Sequence, residues 1–201
     1  MPRLVIGSRN AKKLQELHDL LGDLPVELTD LTPWPNVPDV EETGQTFEEN
    51  ARLKATAYAR ATGEWVLAED SGLVVPALKG RPGVYSARYA GTHGDDAANN
   101  QKLLAELAPL PDDRRAAYYV CVAALSAPDG EVNAVAEGRC HGVITKEPRG
   151  AGGFGYDPLF EIPEYHRTFG ELSPRVKQAL SHRARAVVQL RSAIRQLVTS
   201  L

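Results

Sequence analysis

Cysteine is scarce in this 201-residue chain: Cys121 and Cys140 are the only two, and both fall in apolar, strand-like runs. A disulfide scaffold needs more, so reduced and buried thiols are expected. A basic excess is missing as well. Lys and Arg number 23 against 26 Asp and Glu, a formal net charge of -3. That balance speaks against a nucleic-acid coat, which relies on clustered cations. No run approaches the ~20 apolar residues of a membrane helix. Met1-Pro2-Arg3-Leu4-Val5-Ile6-Gly7 is too short for the apolar region of a secretory signal. The expectation is a cytoplasmic protein with neither nucleic-acid nor membrane partners. The chain lacks internal repeats, low-complexity tracts and any evident Cys–His or Ser–His nucleophile set. With 43% hydrophobic residues it can fill a core, and its length suits one domain over 1–201 with two lobes.

What is present is concentrated between Glu41 and Gly72. Trp65-Val66-Leu67-Ala68 reads as a short buried strand. It is expected to end on Glu69 and Asp70, followed by a Ser71-Gly72 turn, at the strand end where α/β proteins place their chemistry. A helix precedes this strand. Thr46 with Glu49 three residues on is a capping-box pattern, and Gly63 suits the position after a helix ending near Thr62. A second acidic pair, Glu41-Glu42, stands before that helix. Two acidic clusters held by one helix and one strand suit a hard divalent cation. Lys54 lies on the linking helix, four residues after Asn50 and on the same face.

The remaining segments frame this stretch. Arg3 to Gly7 reads as a strand, and Leu14, Leu17 and Leu21 form the apolar stripe of a helix that stops near Gly22. Ser8-Arg9-Asn10-Ala11-Lys12-Lys13 joins the two. Its helix N-terminal N–H groups and lysines attract anions, although the spacing is not that of a P-loop. Pro33, Pro35 and Pro38 force an extended connection. Asn99 to Leu107 reads as a short helix. Ala116 to Leu125 and Val132 to Cys140 read as strands around a Pro128-Asp129-Gly130 turn, a hairpin expected to carry no chemistry. Four glycines in Gly150-Ala151-Gly152-Gly153-Phe154-Gly155-Tyr156-Asp157-Pro158 allow close approach to a ligand and would expose Phe154 and Tyr156 for stacking. Ser173-Pro174 opens a helical turn containing Lys177. Ser181 precedes a last helix with Val187, Leu190, Ile194 and Leu197 as its buried stripe. His182 and Arg183 in the first turn oppose the helix dipole, which points to service toward a ligand.

Taken together and in order, these motifs resemble the Ham1/RdgB-type inosine triphosphate pyrophosphatases. The resemblance rests on Ser8-x-Asn10-x-x-Lys13-x-x-Glu16 and on Glu42-Thr43-Gly44-x-Thr46-Phe47-x-Glu49-Asn50-Ala51-x-x-Lys54-Ala55. It continues through Asp70-Ser71-Gly72-Leu73 and Pro82-Gly83-Val84-Tyr85-Ser86-Ala87-Arg88-Tyr89. Gly152-Gly153-Phe154-Gly155-Tyr156-Asp157-Pro158 and Ala179-Leu180-Ser181-His182-Arg183 complete it. One departure is Glu69, where the bacterial pattern often has a second Asp. The resemblance implies an α/β fold, two-lobed, with a long twisted mixed β-sheet flanked by helices and a substrate cleft between lobes. It implies a homodimer that hydrolyses ITP, dITP or XTP to the monophosphate and pyrophosphate with Mg²⁺.

On that footing Glu42 and Asp70 are expected to hold Mg²⁺, with Glu41 left open as an alternative. Asp70 would also direct the attacking water, with Lys13 assisting catalysis. Ser8, Arg9, Asn10, Ala11, Lys12, Lys13, Lys54 and Ser71 would line the triphosphate. Phe154 would stack on the base, with Gly155, Tyr156, Asp157, Lys177, His182 and Arg183 around it. A donor such as Arg183 would satisfy a 6-oxo group but not the 6-amino group of adenine. A Maf-like pyrophosphatase acting on pyrimidine or modified nucleotides is the alternative.

Overall fold

The computed structural model describes residues 1–199; the last two residues of the expected 1–201 domain lie outside that range. Seven strands form one sheet among the described residues: β1 (Arg3–Ile6), β2 (Glu27–Thr29), β3 (Trp65–Val74), β4 (Ala116–Ser126), β5 (Val132–Ile144), β6 (Phe160–Ile162) and β7 (Arg167–Thr168). Their order is β2-β1-β3-β4-β5-β6-β7. β1 runs parallel to both β2 and β3, whereas β6 is antiparallel to β5 and β7, so the sheet is mixed. The helices are α1 (Ala11–Leu21), α2 (Phe47–Thr62), α3 (Asp96–Leu107), α4 (Pro174–Leu180) and α5 (His182–Thr199). This is the expected α/β class.

The chain divides into two compact units. The first contains Met1–Asp70, Cys121–Gly138 and the chain from Arg183 onward; the second contains Ser71–Val120 and Arg139–His182. Each has its own core. In the first, Leu4, Ile6 and Leu67 from the strands pack with Leu17 and Leu21 of α1 and Val187, Leu190 and Ile194 of α5. In the second, Leu73, Leu103, Leu107, Ile144, Phe160 and Phe169 are buried together. Cys121 and Cys140 are buried and form no disulfide, one in each core. No helix among the described residues is long and apolar enough to cross a membrane.

Local chemistry sets the helix ends that matter. Asn10 opens α1, its side chain accepting from the N–H groups of Lys12 and Lys13. Thr46 and Glu49 close a complete capping box on α2, and Gly63 ends that helix at a left-handed φ of 71°. Ser173 caps α4 with Pro174 behind it.

Several elements differ from the sequence reading. α3 begins at Asp96 rather than Asn99, because the Asp95 side chain caps it by accepting from Ala98 N–H. β3 does not stop at its carboxylates: Glu69 and Asp70 lie within it, and Ser71-Gly72 continues the strand rather than turning. Gly72 has no left-handed φ, and Leu73 beyond it is fully buried, so the apolar pull carries the strand on. β5 runs four residues past Cys140, with Ile144 buried at its end. β2, only three residues long, is too short for a periodic signal and exists through its pairing to β1.

Thr46→Ala removes the hydroxyl that accepts from Glu49 N–H at 3.1 Å. It is expected to cost about 1 kcal/mol of stability, read as a lower urea midpoint with an unchanged slope.

Candidate active site

In the first unit Asp70 is 4% exposed, and its Oδ2 accepts from Asn50 Nδ2 at 3.0 Å. Asn50 itself is fully buried, and its Oδ1 accepts from Gly44 N–H at 2.8 Å. One amide from α2 therefore ties the loop bearing Glu42 to the strand bearing Asp70. A Cβ on Gly44 would meet Asn50 Oδ1 at 2.6 Å, so this docking requires glycine. One helical turn after Asn50, the Lys54 ammonium pairs with Glu42 and stands 3.6 Å from Asp70 Oδ1. Two carboxylates thus share one cation.

The electrostatics follow from this placement. Burial pushes the Asp70 carboxyl above its ordinary value, and the Glu42 charge adds to the rise although Lys54 opposes it. Burial would lower Lys54, but Asp70, Glu42 and Glu69 outweigh it and raise the ammonium above the usual lysine value. Glu42 is half-buried and faces Lys54, while Glu41 is exposed. The donor chemistry is that of a hard cation: oxygen ligands around a point where positive charge already sits. Among the described residues, no three His, Cys, Asp or Glu side chains converge as a ligand set. Mg²⁺ does not need three, because it keeps several waters and takes phosphate oxygens.

Glu69, one residue earlier on β3, anchors a second set of charges. Its carboxylate, 1% exposed, meets Lys13 at 3.1 Å and the Arg183 guanidinium at 3.0 Å from Nη2 and 3.3 Å from Nε. Arg183 also pairs with Glu16. Burial alone would raise Glu69, yet Arg183, Lys13 and Lys54 hold it well below the ordinary carboxylate range. Burial pushes the neighbouring Cys121 thiol up, and the Glu69 charge reinforces it. Arg183 in the first turn of α5 is thus balanced by two carboxylates, which offsets its conflict with the helix dipole.

The Ser8-to-Lys13 loop is internally bonded. Ser8 Oγ accepts from Asn10 N–H at 3.2 Å, and Asn10 Oδ1 accepts from Lys12 and Lys13 N–H at 3.0 and 3.2 Å. Arg9 pairs with Asp39 and donates to the Val37 carbonyl. Ala11 and Lys12 are exposed at the start of α1. Since Asn10 takes two of the first-turn N–H groups, the loop's cationic side chains are its principal offer to an anion.

The second unit holds a cluster around Asp157. Its Oδ2 accepts from Lys177 Nζ at 2.6 Å and from Phe154 N–H at 2.7 Å; its Oδ1 lies 3.4 Å from the Tyr119 hydroxyl. Gly153 has φ +74°, and a Cβ there would meet Asp157 Oδ2 at 2.0 Å, so only glycine fits. Lys177 Nζ stands 4.6 Å from the Phe154 ring centroid, a cation–π contact. His182 stacks on Tyr119 at 4.7 Å and 9°. Ser71 is half-buried in β3, and Gly155 is half-buried in the loop.

Tyr156 is not a stacking surface. It is 3% exposed within the second core, and its hydroxyl donates to the Ser86 carbonyl at 2.8 Å. Phe154, two residues earlier, is half-buried, and Gly155 between them takes a left-handed φ of 61°. The β4–β5 pair also carries more than packing, since Tyr119 on β4 reaches Asp157 and His182. Sequence reasoning passed over Tyr119 because its run reads as core. It passed over Asn50 as a mere neighbour of Lys54, and over Glu16 despite its position three residues after Lys13. Spacing to Lys54 and Lys13 was the available signal for the latter two.

The chain matches the model of the Ham1 family over residues 4–193. It is 59% identical over 184 residues to the dITP/XTP pyrophosphatase of Rhodopirellula baltica, covering 92% of this chain and 88% of that protein. It is 51% identical over 191 residues to the dITP/XTP pyrophosphatase of Geobacter sulfurreducens, covering 95% and 96%. A HAM1 protein structure from Coxiella burnetii superposes with TM-score 0.89 at 43% identity, covering 98% of this chain and 100% of that one.

Glu69→Gln tests the buried ion network. Glu69 titrates lower in the folded chain than in the unfolded one, so its charge stabilises the fold above the unfolded value of ~4.3 and that stability is lost as pH falls through the folded value. At pH 7 the variant is expected to be less stable by about 3 kcal/mol. The gap should narrow below about pH 4.3. Urea denaturation of both proteins at several pH values checks this; a constant gap would remove the charge from the account.

Proposed function

The chain belongs to the Ham1 family, and from that membership we propose that it hydrolyses non-standard purine nucleoside triphosphates, ITP, dITP and XTP, to the monophosphate and pyrophosphate. We further assign it Mg²⁺ as cofactor, the cytoplasm as its compartment and a homodimer as its working form. The observation that carries the reaction is the Glu42–Lys54–Asp70 cluster: a buried and a half-buried carboxylate bracketing an ammonium. A pyrimidine-directed, Maf-like activity is not favoured by relatives named dITP/XTP pyrophosphatase.

Phosphoryl transfer asks for positioning and charge neutralisation more than covalent chemistry. Lys13 and Lys54 supply positive charge for the phosphate chain, with Ser8 and Asn10 offering hydrogen bonds. Glu42 and Asp70 are the side chains that would hold Mg²⁺, which supplies further neutralisation of phosphate charge when bound. Asp70 orients the attacking water and takes its proton. A bond forms from the water oxygen to the α-phosphorus, the bond from the α-phosphorus to the bridging oxygen breaks, and pyrophosphate leaves. Asn50 Nδ2 fixes the Asp70 carboxylate for this step.

Phe154 offers the base a ring to stack on. Lys177 and His182 are the nearby donors suited to a 6-oxo acceptor. A site built to donate there leaves its donor unpaired against adenine, which can discriminate by about 10⁴-fold.

The test is a panel of ITP, XTP, dITP, GTP and ATP, with Mg²⁺ or EDTA, assaying pyrophosphate and orthophosphate separately. Metal-dependent pyrophosphate release from ITP, XTP and dITP is expected; orthophosphate instead would move the attack to the γ-phosphorus and overturn the role given to Asp70. Asp70→Asn is expected to lower kcat by about 10³-fold with the fold intact; a near-normal rate would remove it from the chemistry. Phe154→Ala is expected to raise KM for every purine by about tenfold. An unchanged KM would end the stacking role.

A further inference from the structure

The glycine-rich loop before Asp157 has little reason to hold one shape by itself. Gly150, Gly153 and Gly155 all take left-handed φ values, and glycine loses more backbone freedom on ordering than any other residue. Something outside the loop must fix it. Two restraints act within the same unit: Asp157 holds Phe154 N–H, and Gly152 N–H donates to the Gly170 carbonyl at 2.9 Å.

The peptide groups of Gly155, next to the Phe154 ring, are held from elsewhere. Gly155 N–H donates to Asp96 Oδ2 at 2.8 Å. The Gly155 carbonyl accepts from Asn100 Nδ2 at 2.9 Å. Both partners stand on α3, four residues apart and so on one face. Both are half-buried, which strengthens the contacts relative to exposed ones. The bond to Asp96 is charge-assisted. Asn100 Oδ1 is buried with no hydrogen-bond partner, an unfavourable placement accepted so that Nδ2 can face the carbonyl. A helix thus grips both the donor and the acceptor of Gly155, the left-handed residue that follows Phe154.

We propose that Asp96 and Asn100 are positioning residues for base recognition, clamping Gly155 from α3 so that the Phe154 ring is presented in a fixed place. This rests on the proposed stacking of the base on Phe154. It extends the nucleotide site to a helix that acts through the loop it holds. The effect is preorganisation: the clamp removes the cost of ordering the loop when the base arrives. Asp96→Asn keeps an acceptor for Gly155 N–H, whereas Asp96→Ala does not.

The experiment compares wild type, Asp96→Asn, Asn100→Ala and the Asp96→Ala/Asn100→Ala double variant. Steady-state pyrophosphate release from ITP is measured together with hydrogen exchange of the amides of 152–157. The double variant is expected to raise KM for ITP by about tenfold or more, with kcat changed by less than about threefold. Exchange at 152–157 should accelerate, and Asp96→Asn should retain most of the wild-type KM. A double variant with wild-type KM overturns the proposal, even if its melting temperature falls, because the contacts would then serve folding alone. So does a fall in kcat with KM unchanged, which would place the pair in the chemical step. Failure of the wild type on ITP would overturn the nucleotide reading instead; hydrogen exchange would still decide whether α3 fixes the loop, and unchanged exchange in the double variant would overturn the clamp.

Discussion

The Glu69 carboxylate is the charge on which the first unit's polar interior depends. A carboxylate with 1% of its side chain exposed cannot stay ionised alone. It stays ionised because Arg183 reaches it from α5 and Lys13 from α1. Glu16 then balances the second side of Arg183. Three elements distant in sequence therefore meet at one point of β3. Such a network adds little net stability over an apolar equivalent, but losing one member strands the others in a low-dielectric interior. It makes the position of Lys13 a consequence of the core rather than a choice of the surface.

Asp70 shows the opposite bias one residue along the same strand. Glu69 is held below its ordinary range and Asp70 above it. The difference is one of partners: Glu69 faces two cations directly, while Asp70 shares Lys54 with Glu42. Neighbouring carboxylates pushed apart in this way can take separate roles, one fixed as a charge and one available to a proton. Alternation along the strand makes this possible, since successive side chains point to opposite faces.

The second unit achieves precision with glycine. Gly153 gives way to Asp157, and Gly155 takes a left-handed φ between the buried Tyr156 and the half-buried Phe154. The loop is made rigid by polar side chains that reach it from α3 and by Asp157, itself held by Lys177 of α4. The aromatic stack of Tyr119 and His182 adds a flat wall beside them.

Much of this was written in the local sequence. The capping box at Thr46 and Glu49, the Ser173-Pro174 start and the apolar stripe of α5 all depend on neighbours three or four residues away, and each formed as read. The ordered set of short motifs carried the family. What local spacing could not carry was the continuation of β3 through Asp70, because Ser-Gly reads as a turn unless a buried Leu73 beyond it is weighed. Nor could it reveal that Arg183 pairs with Glu16, 167 positions away, or that Tyr119 meets Asp157 across 38. The sequence by itself determined which segments become helices and which residues carry charge, since those depend on short-range hydrogen bonds and periodicity. The tertiary structure alone decided which charges meet and which are buried, because ion-pair geometry and desolvation are set by segments that only folding brings together.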